Sequence, residues 1–223
     1  MLIRIKFAKK GTMKFIGHLD LIRNFQRVFK KSGFPIAYSE GFNPHQIMSI
    51  GAPLSVGVTS DGEYMDVKTT ENIDCLTYCD ILNRHTPTGL VIISMTELPD
   101  KAKSAMALID AAKYKVTLKH TVITEKMINK LMTMEEIMIH KKNKKNVMRE
   151  INIKPGIFHM ALPEPHTLIL LLATGSHMNI KPEVVLQSLC EVNDIPYDKY
   201  DYTVHREEIY YKNDQGFMPL NHV

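Results

Sequence analysis

The segment LIRIKFAKKGTMKFIGHLDLIRNFQRVFKKSG, residues 2–33, changes its hydrophobic period once, and that change decides the fold. In the first eight residues Leu2, Arg4 and Lys6 alternate with Ile3, Ile5 and Phe7. A period of two predicts a strand with one face buried. From His18 the period lengthens. Leu19, Ile22, Phe25, Val28 and Phe29 follow helical spacing, with Asp20, Arg23, Asn24, Arg27, Lys30 and Lys31 on the other side. Gly33 stands where a left-handed cap would end the helix.

Working outward, FPIAY (34–38) reads as a short strand, APLSVGVTS (52–60) as extended chain, and EYMDVKTT (63–70) as a second alternating strand. NIDCLTYCDILNRH (72–85) is helical with Ile73, Leu76, Cys79 and Leu82 on one face, and GLVIISMTEL (89–98) is a strand. The order β-α-β-β-α-β is the ferredoxin-like split motif. PDKAKSAMALIDAAK contributes a short helix as linker, and the pattern then restarts. AKYKVTLKH is a strand, TEKMINKLM a helix capped by Thr124, and EEIMIHKKNKKNVMREINI a hairpin with lysines at its tip. GIFHMALPE and HTLILLLATG are strands, KPEVVLQSLCEVN a helix with Pro182 in its first turn, and DYTVHREEIYYKN a last strand. The expected class is α+β, with two ferredoxin-like (βαββαβ) domains in tandem, the second elaborated with a hairpin. The expected boundaries are 1–100 for the domain with the GFNPH loop, 101–112 for the linker and 113–223 for the second domain.

Of 223 residues, 44% are apolar and 23% charged, the balance of a soluble globular chain with enough material for a core. No apolar run approaches the roughly 20 residues of a membrane span, and the alternating N-terminus lacks an apolar signal region. Three cysteines make an odd count with no disulfide framework, so the expected compartment is the reducing cytoplasm. The net charge of +4 is uneven: residues 1–31 hold nine Lys/Arg against Asp20 alone. A second basic patch gathers Lys141, Lys142, Lys144, Lys145, Arg149 and Lys154 against Glu150. Such asymmetry reads either as a polyanion-binding surface or as an ordinary solvated face.

Three polar groups are candidate sites. In GHLDLIR, residues 17–23, His18, Asp20 and Arg23 enter the first helix, where Asp20 also has a structural reading as a partner of the helix dipole. In YSEGFNPHQIMS, residues 38–49, Gly41 permits a positive φ and Asn43-Pro44 marks a turn. Ser39 and Asn43 can bond the backbone locally, so those features explain a tight loop and leave Tyr38, Phe42 and His45 for base stacking or phosphate contact. In GVTSDGEYMD, residues 57–66, Ser60, Asp61 and Glu63 are read as a turn marked by Gly62. Cys75 and Cys79 are four apart on a helix, but Cys79 belongs to its apolar stripe and no second ligand pair closes a zinc shell. No C-x3-C-x2-C run, P-loop, G-x-G-x-x-G, G-x-S-x-G or H-E-x-x-H occurs, so no cofactor or metal is expected.

The blocks HLD (18–20), YSEGFNPH (38–45), PLSVGVTS (53–60) and Glu63 resemble the bacterial radical-SAM-linked (radical-SAM-associated) protein family, a domain of unknown function. MALIDAAKYKV and REINIKPGI resemble its looser later blocks, so the resemblance covers almost the whole chain. Gln46-Ile47-Met48 depart from the family pattern, which often continues with a proline and a basic residue. The resemblance implies a radical-SAM partner encoded nearby, which would carry the cluster itself. It also gathers His18, Asp20, Arg23, Tyr38, Ser39, Gly41, Phe42, Asn43, His45, Ser60 and Glu63 as one binding surface.

The preferred expectation is therefore an accessory subunit, not itself an enzyme, that binds an RNA or RNA-like substrate for a radical-SAM enzyme. Its nucleic-acid contacts would be Arg23, Arg27, Lys30 and Lys31 on the first helix and Lys141, Lys142, Lys144 and Lys145 at the hairpin. One alternative is a metal-independent RNA-processing enzyme in which His45 with Tyr38 or Ser39 exchanges a proton with a ribose hydroxyl. Another is a protein-docking module with no nucleic acid.

Overall fold

The computed structural model describes residues 1–142 and 148–222, for residues 141 and 142 the backbone alone. The chain is mixed α+β, with mostly antiparallel strands and five α-helices among the described residues. It divides into two compact units, one of residues 1–110 with 206–223 and one of residues 111–205. Residues 206–223 return to the first unit after the second.

The first unit begins with β1 (Leu2–Lys9), α1 (His18–Ser32), β2 (Met48–Ile50), β3 (Thr59–Lys68), α2 (Cys75–Asn83), β4 (Leu90–Leu98) and the one-turn α3 (Ala105–Leu108). β1 is antiparallel to both β3 and β4, with Ile5 opposite Met65 on one side and Met95 on the other. β2 is antiparallel to the end of β3, beside the β4-β1-β3 run. The alternation in β1 sets one face: Ile3, Ile5 and Phe7 are buried with Leu21, Phe25, Val28 and Phe29 of α1 and Leu82 of α2. Aromatic rings run through this core, with Phe7 edge-on to Phe25 at 4.9 Å and Phe29 stacked on Phe34 at 4.8 Å. Gly33 caps α1 in the left-handed region at φ +67°, and its N–H donates to the Phe29 carbonyl. Leu19 is exposed, and Leu21 takes the core position expected of it. Leu76 is likewise exposed at the start of α2, where only Leu82 is fully buried.

The other face of β1 is also covered, which alternation alone does not reveal. Arg4 is buried, its guanidinium donating to both Asp66 carboxylate oxygens at 2.8 and 3.1 Å. It donates further to the carbonyls of Lys103 and Leu220. The second Asp66 oxygen also accepts the N–H of Ala105 at 2.6 Å, which fixes α3 against the strand.

Two extended segments are absent. Residues 34–38 make only the isolated pairings Ile36–Thr69 and Tyr38–Gln46, since Pro35 has no N–H to extend a ladder. Residues 52–58 turn instead of extending, with Gly57 at φ +89°. Conversely, the segment read as a turn around Gly62 is strand. Pairing shifts from Phe7–Glu63 to Lys9–Ser60, so Asp61 and Gly62 sit in a bulge of β3. A Cβ at Gly62 would lie 2.6 Å from the Glu208 Cα and 2.7 Å from the Glu207 carbonyl oxygen. The glycine is there for close backbone approach. Gly62→Ala is therefore expected to cost about 1–3 kcal/mol, read as a lower urea midpoint with an unchanged slope.

The second unit contains β5 (Ala111–Leu118), α4 (Glu125–Met132), the hairpin β6 (Met138–Lys142) and β7 (Met148–Asn152), β8 (Ile157–Glu164), β9 (Thr167–Ala173) and α5 (Pro182–Val192). β9 lies between β5 and β8, antiparallel to each. Leu168, Leu170 and Leu172 alternate inward from β9, while Ile128 and Leu131 of α4 and Val185 and Leu189 of α5 are buried from the helices. The Thr124 hydroxyl caps α4 by accepting the Met127 N–H, and Pro182 opens α5. Asp201 accepts the N–H groups of His120 and Thr121, and the hydrogen bonds at Thr121 hold its carboxyl below the ordinary carboxylate value. The lysine-rich tip of the hairpin, with Lys144 and Lys145, lies outside the described residues.

β10 (Tyr202–Asn213) begins in the second unit, and from Arg206 onward it belongs to the first. There β11 (Gly216–Pro219), which the sequence reading did not include, folds back on it with Tyr210 opposite Pro219.

Candidate functional site

Because α1 turns its apolar stripe inward, Arg23, Gln26, Arg27 and Lys30 share a stripe on another face at positions i, i+3, i+4 and i+7. They form one wall of a groove of about 540 Å³, whose other wall is Tyr38, Pro44, His45 and Gln46. Arg23, Arg27 and Lys30 are exposed. Arg23 is partly offset by Asp20, 2.9 Å away at an exposed pair. Arg27 donates through Nε to the Arg23 carbonyl. Neither Arg27 nor Lys30 has an ion-pair partner among the described residues, so two of the three cations on that wall stand without an acid.

The opposite wall is held from within its own loop. The Ser39 N–H donates to the His45 carbonyl at 2.8 Å, and the His45 N–H donates to the Ser39 hydroxyl at 3.1 Å. Ser39 Oγ also lies 2.8 Å from His45 Nδ1, which leaves His45 Nε2 without a partner among the described residues. Gly41 supplies the positive φ, +111°, that closes the turn. At the tip Phe42 is fully exposed, and Asn43 is exposed beside it. Gln46 is 93% buried: its Nε2 donates to the Gln26 carbonyl at 3.4 Å and to the Tyr38 hydroxyl at 3.3 Å. Its Oε1 has no donor among the described residues.

The groove thus brings together Arg23, Arg27, Lys30, Tyr38 and His45, with Ser39 and Gly41 as their support. Lys31 is exposed on the last turn of α1 and does not line it. His18 opens α1 half-buried, its Nδ1 buried without a partner among the described residues, and is not in the groove either. Ser60 and Glu63 are fully buried in β3. Ser60 Oγ accepts the Gly62 N–H within the bulge. The Glu63 carboxylate is held by Arg206, with Nε 2.7 Å from Oε1 and Nη2 on Oε2 and on the Ala52 carbonyl. Lys9 is buried near this pair, donating to the Ile16 carbonyl, and burial pushes its ammonium below the usual lysine value against the pull of Glu63. These buried ions have structural partners. Of the hairpin lysines, Lys141 and Lys142 are described by backbone only.

Gln26, Pro44 and Gln46 are groove residues that motif reasoning passed over. Gln26 was legible, since it falls on the Arg23–Lys30 stripe, whereas Gln46 is recognised only once the loop returns to α1. Among the described residues no group of three or more His, Cys, Asp or Glu side chains is placed to hold a metal ion. Chemically, the groove can neutralise an anion on one wall and meet a planar ring on the other.

The chain matches, over residues 2–182, the family described as "Uncharacterized protein conserved in bacteria (DUF2344)". No curated protein matches it. Among solved structures it is similar to a Cbf5-Nop10-Gar1 complex, at 11% identity and a TM-score of 0.44, over 96% of this chain and 50% of that one. It is also similar to an H/ACA RNP bound to a substrate RNA containing 2'-deoxyuridine, at 9% identity and a TM-score of 0.42, over 92% of this chain and 46% of that one. An archaeal box H/ACA sRNP Nop10-Cbf5 complex gives 11% identity and a TM-score of 0.42 over the same shares. The chain spans about half the length of these matched chains.

Proposed function

From the premise that the chain belongs to this family of proteins conserved in bacteria, we propose that its first unit is a nucleic-acid-binding module with RNA as its ligand class. The observation that carries the reading is the groove: three exposed cations of α1 face a wall that holds Tyr38 and His45. Phosphates supply the anions that Arg27 and Lys30 lack, and nucleobases supply the planar rings that an exposed tyrosine stacks on.

The module works as an accessory subunit that presents this ligand to a radical-SAM enzyme in the cytoplasm. What supports that partnership is the resemblance of the HLD and YSEGFNPH blocks, and what supports the compartment is the three free thiols of Cys75, Cys79 and Cys190. The β4-β1-β3 run, with β2 paired to the end of β3 and these pairings all antiparallel, supports reading the first unit as ferredoxin-like. The β5-β9-β8 run supports the same reading for the second.

Fluorescence anisotropy with labelled RNA tests the binding. Each neutralised phosphate of a single strand contributes about 0.7 to the salt slope, so one or two phosphates on the cation wall predict roughly a three- to sevenfold loss of affinity from about 50 to 200 mM salt. Binding that ignores salt over that range would remove the groove from the account.

A second reading has the Ser39–His45 contact in its favour. With Nδ1 against Ser39, His45 Nε2 is left to act as acid or base on a ribose hydroxyl. That enzyme would cleave RNA without metal, and His45→Ala, folded and still bound to RNA at saturating concentration, would abolish cleavage. A folded wild-type chain that binds RNA and leaves it intact excludes it.

A further inference from the structure

Resting on the nucleic-acid reading of the groove, we infer that it takes a single strand, with a base seated against Tyr38, and not the outside of a duplex. The cations occupy one wall only. From Arg23 to Lys30 is seven residues of helix, about 10 Å, enough for one or two successive phosphates of one strand. A duplex hides the faces of its bases and shows backbone on both sides of each groove, so Tyr38 and Pro44 would have nothing to meet. A single strand turns its phosphates one way and its bases the other, which matches the division of the walls.

Two features of the aromatic wall strengthen this. Tyr38 is 53% exposed, yet its hydroxyl accepts from Gln46 Nε2, so the ring is held in place before any ligand arrives. Phe42 is completely exposed at the tip of a loop that Ser39 and His45 fasten from both ends, so an ordered turn holds a second ring out in water. The Gln46 amide adds a polar counterpart. Gln46 Nε2 is turned to the Gln26 backbone carbonyl, and Oε1 has no donor among the described residues. Base amines and imino groups are donors and phosphodiesters are not. The oxygen is buried in the wall beside Tyr38.

The test uses the full chain at one salt concentration with four probes: a single-stranded RNA of about six nucleotides, an abasic oligomer of the same length, an RNA duplex and inorganic polyphosphate. The expected result is that the base-bearing strand binds about tenfold tighter than the abasic one. Tyr38→Ala should erase that difference and Tyr38→Phe should keep it. Should Tyr38→Ala fail to fold, Phe42→Ala, at a fully exposed position, and the wild-type comparison of the two strands carry the test. Equal binding of strand, abasic oligomer and polyphosphate would overturn the single-strand inference and leave an anion-binding groove. Tighter binding of the duplex would overturn it too, while preserving the nucleic-acid reading. Binding to none of the four by folded protein would remove both readings and turn attention to a protein partner.

Discussion

Arg206→Met should destabilise the protein by about 3–5 kcal/mol, because it leaves the Glu63 carboxylate buried without its guanidinium. Arg206 and Glu63 are 2% and 1% exposed, so water has almost no access to replace the lost bonds. The Ala52 carbonyl, which accepts from the same guanidinium at 2.9 Å, loses a donor as well. For a chain of this size the loss corresponds to roughly 10 °C in Tm. The double variant Arg206→Met with Glu63→Leu should recover most of the loss, since an apolar pair of similar volume is often neutral in place of a buried ion pair. Urea denaturation of the wild type and the two variants checks this. A single variant within about 1 kcal/mol of wild type would mean that solvent reaches Glu63 when Arg206 is gone.

The second large effect is on binding. Reversing Arg23, Arg27 and Lys30 together to Glu should weaken RNA binding by at least about a hundredfold and flatten its salt dependence. Three cations leave the wall and three anions enter it beside Asp20, while His45 and Tyr38 stay in place. All three positions are exposed, so Tm should hardly move. The matched control reverses Lys101, Lys126 and Lys199, which are also exposed and lie elsewhere in the chain. It changes net charge by the same amount. An equal loss in both variants would mean that overall charge attracts the RNA and that the groove has no special part.

Much of the fold was legible because its causes are local. The change of period between β1 and α1, Gly33 at the end of the helix, Thr124 capping α4 and Pro182 opening α5 each act within a turn or two of chain. The groove was half legible for the same reason: Arg23, Arg27 and Lys30 declare a common stripe by spacing alone, and Tyr38 and His45 stand in one motif. What was not legible depends on neighbours far along the chain. Gly62 looks like a turn glycine until the backbone of Glu207 and Glu208 lies against it. Glu63 looks like a site acid until Arg206, 143 residues later, pairs with it. Leu19 and Leu21 both suit a helical stripe. The direction in which the first turn of α1 leaves Gly17 decides between them.

The return of residues 206–223 to the first unit has a consequence for synthesis. β1, β3 and β4 are made early, but the guanidinium for Glu63 and the Leu220 carbonyl that Arg4 reaches emerge only after residues 111–205. At a translation rate of about 5–20 residues per second, the first unit waits roughly 5–20 s for its last partners. During that interval Arg4 can still pair with Asp66, whereas Glu63 stands without its partner. The order of events on the ribosome is therefore the reverse of the order in sequence: the later unit has its whole chain first, and the earlier one closes behind it.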